Sequence, residues 1–419
     1  MQKKNFHRVV VTGLGAVTPI GVGVQDFWQG LIAGKSGVAR VTHFDPLGFS
    51  STMAAEVRDF HPENWVDKKS VPRMDRFTHF SLAASAMAFQ DAGLEASAFD
   101  PCRAGVIIGS GIGGSDSIEK GLLCLQQKGP RGLNPFFVSK LLINMAASMV
   151  SIRHGLKGPL SALSVACSTG ANAIGDAFRI IQRGDADLML TGASEACITP
   201  LAYGGFCATR SMSSRNDRPE KASRPFDKRR DGFVMGEGAG IVVLEELEHA
   251  RKRGARIHAE LTGYGNSADA YHFTAPEPDG QGMVRAMTLA LEDADRDPSE
   301  IGYINAHGTA TELNDKIESA AIIKVFGRHA LRLKVSSIKS MIGHLMAAAG
   351  AVEFVATVLS VSTNTVPPTI NYEEPDPDCP LDYVTRGMER IDLSAALSNS
   401  FGFGGGNACL VVSKYQGHG

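Results

Sequence analysis

Cys167 is the residue whose surroundings most invite chemistry. It stands in SVACSTGANAIGDAFRII, Ser164 to Ile181, where an apolar run ending in Val165-Ala166 meets a small-residue Ser-Thr-Gly-Ala segment. That change of pattern reads as a strand breaking sharply into a helix. A thiol at the break would face unpaired backbone N–H groups and the positive end of the helix dipole, which favour the thiolate, and its small neighbours leave room for an acyl group. A lone free cysteine is more often a small core hydrophobe; the rest of the chain singles this one out. Tyr303-Ile304-Asn305-Ala306 reads as a short strand delivering His307-Gly308-Thr309 into a loop, and Gly343-His344 precedes the small-residue helix LMAAAGAVEFVATVLSV. These three groups lack the short spacing of a zinc site. Each histidine alone could be a satisfied core residue. Together, one thiol and two imidazoles flanked by Gly, Ser and Thr suit acyl transfer through a covalent thioester.

The elements that must position them belong to a large α/β chain. Its 419 residues exceed what one core usually holds, which predicts two domains or two fused halves. A hydrophobic content of 43% and a net charge of −2 from 42 basic and 44 acidic residues are ordinary for a globular protein, and call for neither nucleic acid nor a membrane surface. The seven cysteines, an odd number with no C-x-x-C pair, predict reduced thiols and a cytoplasmic setting. The start runs almost directly into a strand, so no signal peptide is expected, and no apolar run reads as long enough to span a bilayer.

In chain order, Arg8 to Thr12 reads as a buried strand, followed by a turn-rich loop through Gly13-Leu14-Gly15 and Thr18-Pro19-Ile20-Gly21. Lys68, Lys69, Arg73 and Arg76 form a candidate basic surface before an Ala-rich helix from His79 to Ala92. Gly109, Gly111 and Gly114 fit G-x-G-x-x-G, but Lys128-Gly129-Pro130-Arg131 stands where the ribose-binding acid should be, so these glycines read as backbone packing against backbone. Strands follow at 104–109, 188–190, 241–245 and 408–412. The second half repeats the first in outline: Val335-Ser336-Ser337-Ile338-Lys339-Ser340 precedes Gly343-His344 and its helix much as SVAC precedes STGANAIG. The basic segment 248–255 is a seam, giving residues 1–255 with the cysteine and 256–419 with the two histidines.

SVACSTGANAIGDAFRII, INAHGTAT, SSIKSMIGHLMAAAGAVE and NSFGFGGGNA resemble, in order, the nucleophile, first-histidine, lysine-histidine and glycine-loop motifs of the 3-oxoacyl-[acyl-carrier-protein] synthase II family. The resemblance runs nearly end to end. It implies a thiolase-like five-layered αβαβα fold with two pseudo-repeated halves, no cofactor, and a homodimer or a heterodimer with a related subunit. It implies an acyl chain held on Cys167, an enolate stabilised by His307 and His344, and an oxyanion held by backbone N–H groups of Cys167 and Phe403. Phe403-Gly404 would gate the pocket. Lys339 would orient the site through a polar network with Glu318, supported by Asp315. Ile112 and Phe206 would line the acyl pocket. Lys69, Arg73, Arg131 and Arg210 would meet an acidic acyl carrier protein. Asn305, Glu353, Asn399 and Ser400 match positions near a structural monovalent cation. Gly406, Ile338 and Ile342 replace threonines usual in the family, and several departures look like ketosynthase subunits of type II polyketide pathways working with a cysteine-less partner. A thiolase would use a second cysteine as base, but Cys409 lies in an apolar strand rather than a Cys-x-Gly loop.

Overall fold

Ten strands, five from each half, carry the architecture. The computed structural model describes residues 6–95 and 97–417. In the first half, β1 (Val9–Thr18), β2 (Ala104–Gly109), β3 (Leu160–Ser161), β4 (Leu188–Glu195) and β5 (Gly238–Glu246) lie in the order β3-β2-β4-β5-β1. In the second, β6 (Ala259–Ala268), β7 (Ile301–Asn305), β8 (Lys334–Ser336), β9 (Ala395–Phe401) and β10 (Gly406–Ser413) lie in the matching order β8-β7-β9-β10-β6. Strand senses repeat too, with β5 antiparallel to β1 and β4 as β10 is to β6 and β9. Val9–Val11 of β1 pair with Ala259–Leu261 of β6, so the two halves share one continuous 12-stranded sheet system.

The helices that matter to the site are α1 (Arg76–Asp91), α2 (Ser115–Lys128), α3 (Thr169–Gln182), α4 (Gln281–Asp293), α5 (Glu312–Phe326) and α6 (Ala349–Thr363). Helices α3 and α6 form the middle layer and can approach because their contact points lack side chains. A Cβ on Gly170 would lie 2.5 Å from Ala351 N, and one on Gly350 would lie 3.0 Å from Ala171 N. The outer layers use the same device. A Cβ on Gly13 or Gly15 would strike the carbonyl oxygens of Ala88 or Ala84 on α1, while Gly263 and Gly265 meet Ala290 and Ala286 on α4 in the same way. The result is a thiolase-type αβαβα fold of two similar halves.

Several sequence expectations need correction. Gly13-Leu14-Gly15 is not a loop: β1 continues to Thr18 with a bulge between Val11 and Gly13, and its glycines serve helix packing. Residues 115–128 form helix α2, which the sequence reading left without an element. Met346–Thr363 is a helical run long and apolar enough to cross a bilayer, contrary to the expectation, but 83% of it is buried within the fold, as befits a core helix between two sheets. Arg76 is not part of a free basic surface, because it pairs with buried Glu237 at 2.8 Å and stacks over Phe80.

Candidate active site

The chain reaches Cys167 through a turn rather than a strand. After the two-residue β3 the backbone is irregular, and Ala166 adopts φ 45°, a left-handed conformation that costs an alanine about 1 kcal/mol. The residues after the cysteine hold that turn: Thr169 Oγ1 accepts from Val165 N–H (2.7 Å) and donates to Ala166 O (2.7 Å), while Ser168 Oγ donates to Val165 O (2.9 Å). Cys167 therefore stands two residues before α3. Burial pushes its thiol up to about 11, against the opposing pull of the Phe403 N–H and the Lys339 charge. The expected easily ionised thiol is thus overturned, since desolvation outweighs the groups that favour the thiolate.

His307 follows β7, and its loop is clamped by a buried carboxylate. Glu318 on α5 accepts the N–H groups of His307 and Gly308, each at 2.8 Å. Burial raises Glu318 to about 7, with those N–H groups opposing. Lys339 donates to His307 O (2.5 Å), lies 3.4 Å from His307 Nδ1, and forms a buried ion pair with Glu353. An ammonium only donates, so Nδ1 must accept and Nε2 carries the hydrogen. The expected polar network of Lys339 with Glu318 thus runs through the His307 backbone, with no direct contact between the two side chains. Glu353, on α6, is the lysine's partner, and Glu318 acts on the same histidine through its backbone. Asp315 accepts from Phe226 N–H (2.7 Å) and Ala310 N–H (3.2 Å), fixing the loop beyond His307.

His344 precedes α6 as Cys167 precedes α3, so the internal repeat brings the two positions together. Its N–H donates to Val234 O (2.7 Å), and its carbonyl accepts from Gly236 N–H (2.8 Å). Its ring lies edge-on to that of His307, centroids 5.4 Å apart. Burial, with the Lys339 charge, holds both imidazoles well below 6.5, so both are neutral. Cys167, His307 and His344 line one cavity of about 340 Å3 together with Phe403, Thr309 and Arg230.

The glycine loop closes the site over the sulfur. A Cβ on Gly402 would lie 3.2 Å from Cys167 N, and the nearby Phe403 N–H favours the thiolate. Gly404 takes φ 81° and gives its N–H to Phe273 O at 2.9 Å, so its amide is not free to act as an oxyanion donor. Phe206 lies beside Phe403, the rings tilted by 37° with centroids 6.5 Å apart. Ile112 lies outside this cavity with an exposed side chain. Arg210 lines the cavity, Arg73 sits over Phe136, and Lys69 and Arg131 are exposed.

Of the proposed cation positions, Asn305 Oδ1, Glu353 Oε2 and Ser400 Oγ are buried without protein partners among the described residues, as is Ser398 Oγ, which the sequence did not single out. Asn305 and Ser398 are neighbours across the β7–β9 ladder, Asn305 Nδ2 donates to Glu353 O, and Ser400 Oγ abuts Gly350 one turn earlier on α6. This all-oxygen set fits a hard cation. Asn399 does not belong to it. On the opposite face of β9, it donates to Glu318 (3.1 Å) and accepts from Cys409 (3.2 Å).

Two further residues escaped sequence reasoning. Arg230, buried at the cavity wall, bonds Asp376 and the carbonyls of Thr311 and Glu312; the basic run before Asp231-Gly232-Phe233 was its one signal. Glu195, at the end of β4, accepts from Gly111 N–H (2.7 Å) and Ser110 Oγ (3.2 Å), and burial raises it to about 7.

Comparison with known proteins identifies the family. Residues 6–250 match the Beta-ketoacyl synthase, N-terminal domain, and residues 258–373 the C-terminal domain. The chain is 52% identical over 408 residues to 3-oxoacyl-[acyl-carrier-protein] synthase 2 of Coxiella burnetii, covering 97% of this chain and 99% of that one. It is 50% identical over 409 residues to the protein of that name from Synechocystis sp., covering 98% of each. Among solved structures, a beta-ketoacyl synthase from Burkholderia phymatum superposes with a TM-score of 0.91 at 38% identity, covering 98% of this chain and all of that one. A type II polyketide ketosynthase in complex with its acyl-carrier protein gives 0.91 at 40% identity, with the same coverage. The chain belongs to the beta-ketoacyl synthase family.

Proposed function

We propose that this chain is a decarboxylating condensing enzyme of fatty acid elongation, joining an acyl group held on Cys167 to the two-carbon unit of malonyl-acyl-carrier protein. The observation that carries this reading is the convergence of Cys167, His307 and His344, from both halves of the fold, on one cavity. The Cys167 sulfur attacks the acyl-carrier thioester, the carrier sulfur leaves, and the thiol proton ends on it. Malonyl-carrier then enters and loses CO2. The electron pair of the broken C–C bond passes into an enolate, whose oxygen is met by the Nε2–H of His307 and the ring of His344. The enolate carbon attacks the acyl-Cys167 carbonyl, and the amides of Cys167 and Phe403 hold the oxyanion until the sulfur leaves. The departing Cys167 sulfur takes up a proton from water, and the products are 3-oxoacyl-carrier, CO2 and the free carrier released in the first step.

Lys339, Glu353, Glu318 and Asp315 hold the His307 loop rather than exchange protons with substrate. Phe403 and Phe206 would border the acyl chain as it leaves the sulfur, and Ile112, outside the thiol cavity, would line it only beyond that cavity. Lys69, Arg73, Arg131 and Arg210 offer positive charge to an acidic carrier. A monovalent cation held by Asn305, Glu353, Ser398 and Ser400 would supply a fixed charge bracing the β9 and α6 backbones. The exposed edge strand β3, with Leu160, and the exposed Ile118, Leu122, Leu125, Phe136 and Val138 suit a second copy of the chain. Seven unpaired cysteines suit a reducing compartment such as the cytoplasm. Names shared with relatives at 49–52% identity favour fatty acid elongation over the polyketide reading.

Purified protein given acyl- and malonyl-carrier should yield a 3-oxoacyl-carrier two carbons longer, read by mass spectrometry. Cys167→Ala should yield none, and product from that variant would overturn the reading.

A further inference from the structure

A second cavity, of about 180 Å3, lies next in sequence to the thiol cavity and is lined by five cations and two carboxylates. Arg229 lines it, while Arg230 and Asp231 line the thiol cavity. Arg215, Arg218, Lys221 and Arg224 complete its basic wall, against two carboxylates, Asp217 and Glu373. Those carboxylates do not balance it. Glu373 alone is shared by three cations, at 2.7 Å from Arg229, 3.4 Å from Lys221 and 3.7 Å from Arg224. Asp227, which touches Arg224 at 3.3 Å, is already committed to three backbone N–H groups, those of Arg229, Glu373 and Glu374, at 2.9, 2.6 and 2.7 Å. Among the described residues, Arg218 has no carboxylate within 4 Å, and buried Arg215 Nε has no hydrogen-bond acceptor, reaching Asp231 only at 3.5 Å.

We propose that this cavity binds the phosphate or diphosphate group of a small molecule, which displaces the Glu373 carboxylate. Several guanidinium forks around a small concave volume match the many acceptor oxygens of a tetrahedral anion better than one planar carboxylate can. Arg224, only 3% exposed and held by Lys221 O at 3.1 and 3.2 Å, is a fixed charge at its floor. Arg218, Lys221 and Arg229 at the rim admit the ligand. Bound phosphate would act on the Arg229-Arg230-Asp231 strand of chain, and so on the wall of the thiol cavity.

Isothermal titration of the full-length protein at low ionic strength tests this, with pyrophosphate and coenzyme A as separate probes. Pyrophosphate should bind saturably, one per chain, with a Kd below ~1 mM. Arg218→Ala/Lys221→Ala, two side chains outside the catalytic machinery, should weaken binding at least ~10-fold while leaving the melting temperature unchanged. Glu373→Gln should tighten it, because the internal competitor is gone. Coenzyme A that competes with pyrophosphate assigns the site to nucleotide diphosphates; coenzyme A that does not assigns it to free phosphate anions. No saturable binding of either probe up to ~10 mM, or equal affinity in wild type and both variants, overturns the proposal.

Discussion

Lys339→Met isolates what the buried lysine does for His307. Methionine keeps the length of the side chain and removes its charge and donors. At the 3.4 Å separation from Nδ1, a unit charge in surroundings of effective dielectric about 20 acts on a protonated ring with roughly 5 kcal/mol, an upper limit because Glu353 offsets part of it. The His307 pKa, held well below 6.5 in the wild type partly by that charge, should therefore rise. Its ring should also lose its enforced Nε2–H tautomer. Ring 15N shifts in histidine-labelled protein read both effects. In the wild type Nδ1 should stay unprotonated, with titration only at acid pH; in the variant both tautomers should appear and titration should move up. Malonyl-carrier decarboxylation should fall by about 10- to 100-fold, less than the full loss of one oxyanion donor. Removing one partner of a buried pair also destabilises, by about 3–5 kcal/mol, so Lys339→Met/Glu353→Gln serves as the control: it should recover stability but not decarboxylation. A single unshifted tautomer in Lys339→Met, or an unchanged decarboxylation rate, would refute the reasoning.

Alkylation of Cys167 should grow about tenfold per pH unit from pH 7 to 10 without a plateau, because the thiol sits near 11; a plateau at neutral pH would show an ionised sulfur instead. Glu195 binds its proton more tightly folded, at about 7, than its ordinary 4.5, so it contributes stability at pH 5 that is lost as pH rises through 7. Glu195→Gln should abolish about 2 kcal/mol of that pH dependence in denaturant titrations, and an identical slope in both proteins would count against the burial argument. Gly406→Thr should alter chain-length selectivity, because a Cβ at 406 comes within 2.6 Å of Val165 Cγ1 beside the thiol; unchanged product lengths would remove Gly406 from the gate.

The positions of Cys167, His307 and His344 were legible because Gly, Ser or Thr flanks each of them beside an apolar segment, although only His307 comes directly after a strand. The partner of Lys339 was not. Glu318 and Glu353 both lie in helices near the His307 loop, and periodicity along a helix does not tell which face of β9 it covers. The same ambiguity put Asn399 with Ser400, although successive strand residues point to opposite faces. Gly13 and Gly15 read as turn residues because their reason for being glycine, the carbonyls of Ala84 and Ala88, lies some seventy residues away. The turn at Ala166 was invisible because nothing about an alanine announces positive φ. The thiol's resistance to ionising depends on burial, which no local motif encodes.

The central claim is that the Cys167 sulfur carries the growing chain. Intact-mass spectrometry after incubation with acyl-carrier alone tests it most directly. The wild type should gain the mass of one acyl group, mapped to the peptide containing Cys167 and lost with hydroxylamine, while Cys167→Ala gains nothing. An acyl group found on another residue, or equal acylation of Cys167→Ala, would contradict the account.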